Sequence, residues 1–465
     1  MRLIRLSSLA AAVALVLAGC GTGAPSGDND QVSPLKAEDF LGAPCADIGV
    51  RPDGDKEFTY WSMWNADEPQ GRVLSKVIRC FTDKTGVKVN VQWLGRDLLR
   101  QNVVPALATG AGPDLFDQDV SQVKGLVADA GGTRPVDDVL DLAIGENEQK
   151  VRDVLPAAYF DIPQNKASDG KIFEIPYMLL GNSWWYDKNR ITDFSAPTSD
   201  DELFALFDKA KGDGLPAVAQ DNGLDSVNAA VFAQVALRYV GAGKLSEAAQ
   251  DKTGDAWRNN AGLQRAADLV ERFAKGNYLL EGWENAPYPK MRERWAAGEA
   301  AYLFGTSEIP AEARQLLSQR GGDQTADFAP FRFPQPSGAS HDVVEYLPVG
   351  FAIPAKAKRV AAAKAFIAYT LNRDNLTGFP SVADSLAVRA DLPVPAVLSP
   401  IRTALYDTNA EHALVLDGTN AIAGGRWISE VLNPLHASLL KGNMTAAQFT
   451  EAMAAKQADF WRGNP

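Results

Sequence analysis

Flat aromatic rings beside carboxylates and amides are the chemistry this chain offers most plainly, and they fall in predicted loops. Such a pairing suits a polyhydroxylated ring, whose axial C–H face packs on an aromatic while its hydroxyl rim takes bidentate hydrogen bonds. The run Trp61-Ser62-Met63-Trp64-Asn65-Ala66-Asp67-Glu68 leaves a predicted strand and enters a helix at Pro69. Trp64, Asn65 and Glu68 are its ligand-facing candidates, whereas Trp61 suits the core and Asp67 suits a helix cap. Trp184 and Trp185 are adjacent on a predicted strand, where neighbours point to opposite faces, so at least one is core. Asn182, on the face of Trp184, is the better polar candidate there. Trp283 and Trp257 offer further platforms, with helix packing the better use of Trp257.

Nothing in the sequence arranges these groups for catalysis. It contains no nucleophile elbow, metal-ligand cluster or glycine-rich phosphate loop. His341, His412 and His436 are far apart and lack partners at metal spacing, so they read as ordinary surface or helix residues. No metal and no cofactor are expected. Glycoside hydrolysis asks only for two carboxylates about one bond, and 58 Asp plus Glu supply many, so an exported glycan-active enzyme stands as the enzymatic alternative. With 46 Lys plus Arg, the net charge of -12 repels phosphate backbones and argues against nucleic acid.

Leu17-Ala18-Gly19-Cys20 closes an apolar run that follows Arg2 and Arg5. A basic start, an apolar segment and small residues before the cut describe a secretory signal peptide, residues 1–19. The last four residues have the form of a bacterial lipobox. Cleavage would leave Cys20 first, and a diacylglycerol on its sulfur would hold the protein to the outer face of the cytoplasmic membrane. A plain signal peptide or a single spanning helix is the bland alternative, though the apolar stretch is short for the ~20 residues a span needs. Three cysteines in an exported chain resolve into Cys20 and one pair, Cys45 with Cys80. The alternative is that Cys80 is a small buried hydrophobe.

The elements that would position these residues follow a tether, residues 20–54, rich in Gly, Pro, Ser and Asp. About 25 flexible residues reach roughly 25 to 30 Å, enough to lift a domain off the head groups. Beyond it, periodicity predicts a strand at Phe58–Met63, a helix carrying Val73, Leu74, Val77 and Phe81, a strand alternating Val87, Val89, Val91 and Trp93, a second helix, and a brief strand at Asp114–Asp117. This βαβαβ order implies a mainly parallel sheet. Later come an extended segment at Lys171–Tyr177, a separate strand at Asn182–Asp187, a capped helix after Ser199, a largely helical stretch over 225–320, a strand at Val349–Pro354 and a helix over 359–371.

The order of these elements resembles the carbohydrate-binding group of bacterial ABC-importer solute-binding proteins, which includes maltodextrin-binding protein. Its carriers are Phe81-Thr82-Asp83-Lys84-Thr85-Gly86-Val87-Lys88-Val89, Gly112-Pro113-Asp114-Leu115-Phe116, Ile175-Pro176-Tyr177 leading to Tyr186-Asp187-Lys188, Pro197-Thr198 and Ala363-Lys364-Ala365-Phe366. The resemblance implies an α/β, two-lobe periplasmic-binding-protein-like fold of type II, with mixed sheets flanked by helices and a hinge crossed by several strands. Lobe 1 is expected over 55–180 plus 347–380 and lobe 2 over 181–346 plus 381–465. Crossings are expected near Leu179–Asn182, Tyr346–Val349 and Thr377–Leu386.

The same resemblance implies further site residues. Asp119 stands where relatives present an acidic residue to sugar hydroxyls, with helix capping as its alternative. Ser307 and Glu308 end a strand where relatives contribute a ligand-contacting loop, the alternative being a tight turn and cap. Trp427 matches a position where relatives stack an aromatic on a sugar ring, and Gly350 would allow backbone contact with ligand. The implied protein is a monomeric receptor that captures a carbohydrate, an oligosaccharide on the strength of its aromatics, and hands it to ABC permease subunits. A glycerol phosphate is the rival solute, with Arg426 as its source of positive charge.

Overall fold

The computed structural model describes residues 36–464, apart from 157–158, 161, 223–224, 323–324 and 408. The predicted signal peptide and Cys20 lie outside the described residues. Ten strands are described: β1 (Glu57–Ser62), β2 (Lys88–Trp93), β3 (Leu115–Asp119), β4 (Glu174–Asp187), β5 (Val218–Ala219), β6 (Tyr302–Thr306), β7 (Phe328–Phe331), β8 (Val343–Ala352), β9 (Leu386–Ala387) and β10 (Glu411–Leu414).

Strand β1 alternates outward and inward residues and sends Phe58, Tyr60 and Ser62 to the core. The helix Pro69–Thr85 opens with proline at its first turn and stops at Gly86, whose φ of 75° lets its N–H close on Thr82 O. Its buried Val73, Leu74, Val77 and Phe81 cover the sheet. The rings of Phe58, Phe81 and Phe366 meet at 5.3–6.3 Å, so the helix Val360–Thr370 is locked to the same core. β2, β1 and β3 are parallel, as the βαβαβ order requires. β8 then lies antiparallel to β3, and β4 antiparallel to β8.

β4 is a single strand of 14 residues where the sequence suggested two pieces. Glu174 to Gly181 pair with β8, while Asn182 to Trp185 pair with β6 and Trp184 to Asp187 with β7. β8 also changes partner, with Val343 to Tyr346 on β10 and Val349 to Ala352 on β3. The two strands therefore belong to both lobes of a mixed α/β, two-lobe fold. The stretch 377–386 is a short helix, Gly378–Val382, leading to β9, which pairs with Met178 and Leu179. In the second lobe both Trp184 and Trp185 are fully buried, because β4 is covered on both faces there. Trp184 packs against Phe207, Phe304 and Phe331, and Trp185 donates its indole N–H to Gly305 O at 3.0 Å.

The tether does not run to residue 54. From Lys36 onward the chain packs on the first lobe: Phe40 is 1% exposed, and Lys76 stands 4.0 Å over its ring. Gly378 admits that ring, since a Cβ there would lie 2.4 Å from it. Phe40, Leu41, Ala46 and Ile48 are too sparse to form a core of their own, but each finds room on the core already present. Cys45 and Cys80 are joined by a disulfide, with Cα atoms 5.3 Å apart.

That bond closes a loop of sequence separation 35. Removing it by reduction or by Cys80→Ser is expected to lower unfolding stability by about 3 to 4 kcal/mol on the chain-entropy model. Urea unfolding of the purified soluble chain with and without reductant measures the loss. An unchanged midpoint would mean that residues 36–54 are held by packing alone.

Candidate functional site

A cleft of about 680 Å³ lies at the carboxyl ends of β1, β3 and β6 and over the middle of β4 and β8. Strand alternation selects its floor: Met178, Leu180 and Asn182 come from one face of β4, and Leu347 and Val349 from one face of β8. Its volume falls in the range of small-molecule sites, and strand ends between lobes are where α/β folds place ligands. A second cavity of about 650 Å³, touched by Gln164, Glu247, Tyr406 and His412, lies away from these strand ends. Its carboxylates are already engaged: Asp417 by the N–H groups of Gly243 and Ser246 at 2.8 and 2.9 Å, Glu247 by Lys244 at 2.8 Å, and Asp407 by the N–H of Asn409 at 2.9 Å. The cleft is therefore the candidate site.

One wall is built from the loop after β1. Trp64 donates its indole N–H to Tyr177 Oη at 2.7 Å, and Tyr177 donates to Asp117 Oδ2 at 2.6 Å. Asp117 also accepts the N–H of Met63 at 2.9 Å, so a buried relay sets the ring of Trp64. Asn65 donates its backbone N–H to Glu68 Oε2 at 2.9 Å, and Glu68 Oε1 pairs with Arg96 at 3.2 Å. Gly95, at φ 71°, lets the next helix start so close to Asn65 that a Cβ would come within 3.1 Å of its Oδ1. Asp119 caps the short helix Val120–Val123 by accepting the N–H of Gln122 at 3.0 Å, and it also lines the cleft. Burial pushes its carboxyl up to about 6, against the pull of the Gln122 and Ser121 N–H groups. Asn182 donates to Glu345 Oε2 at 2.8 Å, and burial pushes Glu345 up to about 7.

The facing wall carries Tyr288, Arg292 and Glu308. Tyr288 is 36% exposed, while Arg292 is buried behind it with its guanidinium carbon 5.0 Å from the ring. Arg292 donates to Tyr288 Oη at 2.9 Å and forms an ion pair with Glu312. Burial opposes its charge, yet Tyr288, Glu312 and Glu308 hold it above the ordinary arginine value. Glu308 is pushed up, first by burial and then by Glu312, and its Oε2 has no hydrogen-bond partner.

Trp64, Asn65, Asp119, Asn182 and Glu308 thus meet at the cleft, with Glu68 bracing Asn65 and Arg96 from behind. Four other candidates do not reach it. Trp427 is fully buried, stacked on Trp257 with centroids 6.4 Å apart, and shares the acceptor Gln457 Oε1 with it. Trp283 is buried within the second lobe. Ser307 is buried and accepts the N–H of Gly181 at 3.3 Å, pinning β6 to β4, so its neighbours Thr306 and Glu308 line the cleft instead. Gly350 is closed off by β4: a Cβ there would meet Ile175 O at 2.5 Å and Glu174 Oε1 at 2.7 Å. His436 is a helix residue, within Asn433–Leu440, and is fully buried with Nδ1 2.8 Å from Asn228 Oδ1.

Tyr288, Arg96 and Gln118 escaped the sequence reading. Pro287-Tyr288-Pro289 had a signal, because an aromatic between two prolines cannot sit inside a helix and must be presented by a loop. Arg96 and Gln118 stand at the carboxyl ends of β2 and β3, as Trp64 and Asp119 stand at those of β1 and β3.

A family model for bacterial extracellular solute-binding proteins matches residues 65–375. No curated protein sequence matches the chain. Among solved structures, the bacterial solute receptor AcbH is 18% identical, with 89% of this chain and 99% of that chain covered at a TM-score of 0.67. RafE from Streptococcus pneumoniae is 15% identical, with 88% and 99% covered at 0.66. A cyclo/maltodextrin-binding protein is 16% identical, with 87% and 97% covered at 0.64. At these identities the likeness bears on the fold.

Beneath the cleft sits an acidic layer. Glu174 is fully buried with both carboxyl oxygens unpartnered, and burial together with Asp119 and Asp117 pushes it well above the usual range. Asp117 is pushed up to about 6 by burial, as is Asp417 in the second cavity. A carboxyl raised on folding adds stability below its unfolded value that is lost as pH rises through its folded one. Asp117, Asp119, Asp417, Glu345 and Glu174 all act in this sense. Glu308 and Asp221, also raised by burial, add to them; His436, held down to about 3 by burial, opposes them below 6.5, and the lowered carboxyls, Asp114, Asp251, Asp342, Asp391 and Glu411 among them, oppose them only below their unfolded values of 3.8 for Asp and 4.5 for Glu. The melting temperature is therefore expected to rise between about pH 7.5 and about pH 5. Glu174→Gln should raise it at the higher pH and narrow the difference; an unaltered pH profile in that variant would exclude Glu174 as a contributor.

Proposed function

Because the chain belongs to the bacterial extracellular solute-binding protein family, we propose that it is the substrate-binding component of an ABC importer, capturing a carbohydrate between its lobes. The observation that carries the sugar reading is a partly exposed ring, Tyr288, set in the same cleft as Asn65, Gln118, Asp119 and Asn182. The ring takes an apolar C–H face, and the amides and carboxylate take the hydroxyl rim. AcbH is described as preferring b-D-galactopyranose, and the cyclo/maltodextrin-binding protein holds maltotetraose, which supports a saccharide as the ligand class.

Capture requires no bond to break, and the family consists of receptors. In the open form the two walls stand apart; a sugar that touches both shifts the equilibrium toward closure about β4 and β8. We assign residues 36–180 and 347–380 to one lobe and 181–346 and 381–465 to the other, with membrane permease subunits receiving the closed form and Cys20 as the lipid anchor. Asn65, Asp119, Asn182, Tyr288 and Glu308 are the proposed ligand contacts. Arg426 lends no support to a glycerol phosphate, since it pairs with Glu430 at 2.7 Å on an exposed helix outside the cleft.

Titration of the soluble chain with mono-, di- and oligosaccharides and glycerol phosphates, read by intrinsic tryptophan fluorescence, tests this directly. A saturable change with a sugar and no product on long incubation is expected. Tyr288→Ala should weaken that binding at least tenfold, about 1.4 kcal/mol, with little change in melting temperature. Product accumulation would instead establish the glycan-enzyme alternative, and response to glycerol phosphates alone would displace the sugar.

A further inference from the structure

Trp64 is the single tryptophan in the cleft wall, and its ring is already covered. The guanidinium carbon of Arg96 lies 4.6 Å from the ring centroid, held there by Glu68 at 3.2 Å, and Trp64 is only 2% exposed. The indole cannot turn to offer its other face, because its N–H is committed to Tyr177 and through it to Asp117. Breaking that relay would strand polar atoms in the core.

The facing wall likewise sets an aromatic ring beside an arginine paired with a glutamate. Arg292 stacks on Tyr288 and pairs with Glu312, but this arginine is 4% exposed while Tyr288 is 36% exposed in the cleft lining. One aromatic thus keeps accessible surface beside its arginine. The other is covered by an exposed one. Arg96 itself is exposed, with a side chain 43% accessible, so the cap can leave without disturbing the core. Across the cleft, Glu308 has an unpartnered carboxyl oxygen, and both Glu308 and Glu312 act on the charge of Arg96. A displaced guanidinium therefore has acceptors to move toward.

Resting on the carbohydrate reading above, we propose that Arg96 is a specificity-determining cap on Trp64. It occupies the place of a second stacked ring, so the native cleft offers one open platform, Tyr288, and selects saccharides of one or two units over longer chains. A longer chain must displace Arg96 from both Trp64 and Glu68 to stack its next ring, and that cost falls on long ligands only.

The test compares the wild-type chain, Arg96→Ala, and Arg96→Ala combined with Trp64→Leu, each titrated with gluco-, galacto- and xylo-oligosaccharides of one to five units. Acrylamide quenching of tryptophan fluorescence without ligand provides a readout that does not depend on sugar. Arg96→Ala is expected to increase quenching and to improve affinity for units of three or more at least fivefold relative to monosaccharide and disaccharide. Adding Trp64→Leu should abolish that gain. Sugar binding with the same length preference in all three proteins overturns the cap and leaves the carbohydrate reading intact. No binding of any series by wild type or variant overturns the carbohydrate reading, and the length filter with it.

Discussion

The antiparallel pairing of β4 with β8 is the constraint on which the rest of the molecule depends. Each strand spends its two ends on different partners, so every backbone group along the crossing must be satisfied by one lobe or the other. β4 meets this by being one unbroken run that changes neighbours between Gly181 and Asn182. Gly181 sits where Ile401 comes so close that a Cβ would lie 2.6 Å from its side chain, so the loops of the second lobe can fold over the crossing. Asn182, the next residue, is tied to Glu345 on β8 at 2.8 Å. Cleft floor and lobe connection are consequently the same few residues, and a ligand resting on one rests on the other.

From that floor the two walls are stiffened by different physics. The first wall depends on buried polar satisfaction, in which Trp64, Tyr177 and Asp117 form a chain of short hydrogen bonds that also holds the Met63 backbone. In a low-dielectric interior such a chain fixes geometry, since any member left unpaired would be costly. The second wall depends on charge, with Arg292 neutralised by Glu312 and pressed against Tyr288. Glu174 has no such partner, and Gly350 makes room for its carboxyl by lacking a side chain.

The first-lobe architecture was legible because its strands and helices carry clean periods of two and 3.6, punctuated by Gly86 and Gly110. What lay beyond periodicity was depth. Trp427 follows two glycines, as a loop platform would, yet Trp427, Ile428, Val431 and Leu432 are all buried on the turns that follow, the spacing of an inward helical face. Ser307 and Gly350 have the small size that ligand approach demands, but the same size serves β6–β4 closure and the Glu174 carboxyl. Aromatic abundance was a weak guide, since seven of the ten tryptophans are buried and six of those pack inside the lobes away from the cleft.

The state of the cleft charges bears on which ligand class the site suits. Arg96 and Arg292 each have a glutamate partner in the unliganded chain, Glu68 and Glu312. An anionic ligand would have to draw a guanidinium away from that partner, and for the nearly buried Arg292 the abandoned Glu312 would be left facing the raised carboxyl of Glu308. Separating such a pair costs more than a new contact of the same kind returns. A neutral polyol meets no such barrier, because hydroxyls donate to the raised carboxylates of Asp119 and Glu308 and accept from amides without disturbing either ion pair. The pairing of Arg96 and Arg292 with glutamates is the physical ground for preferring a neutral saccharide to a phosphate ester in this cleft.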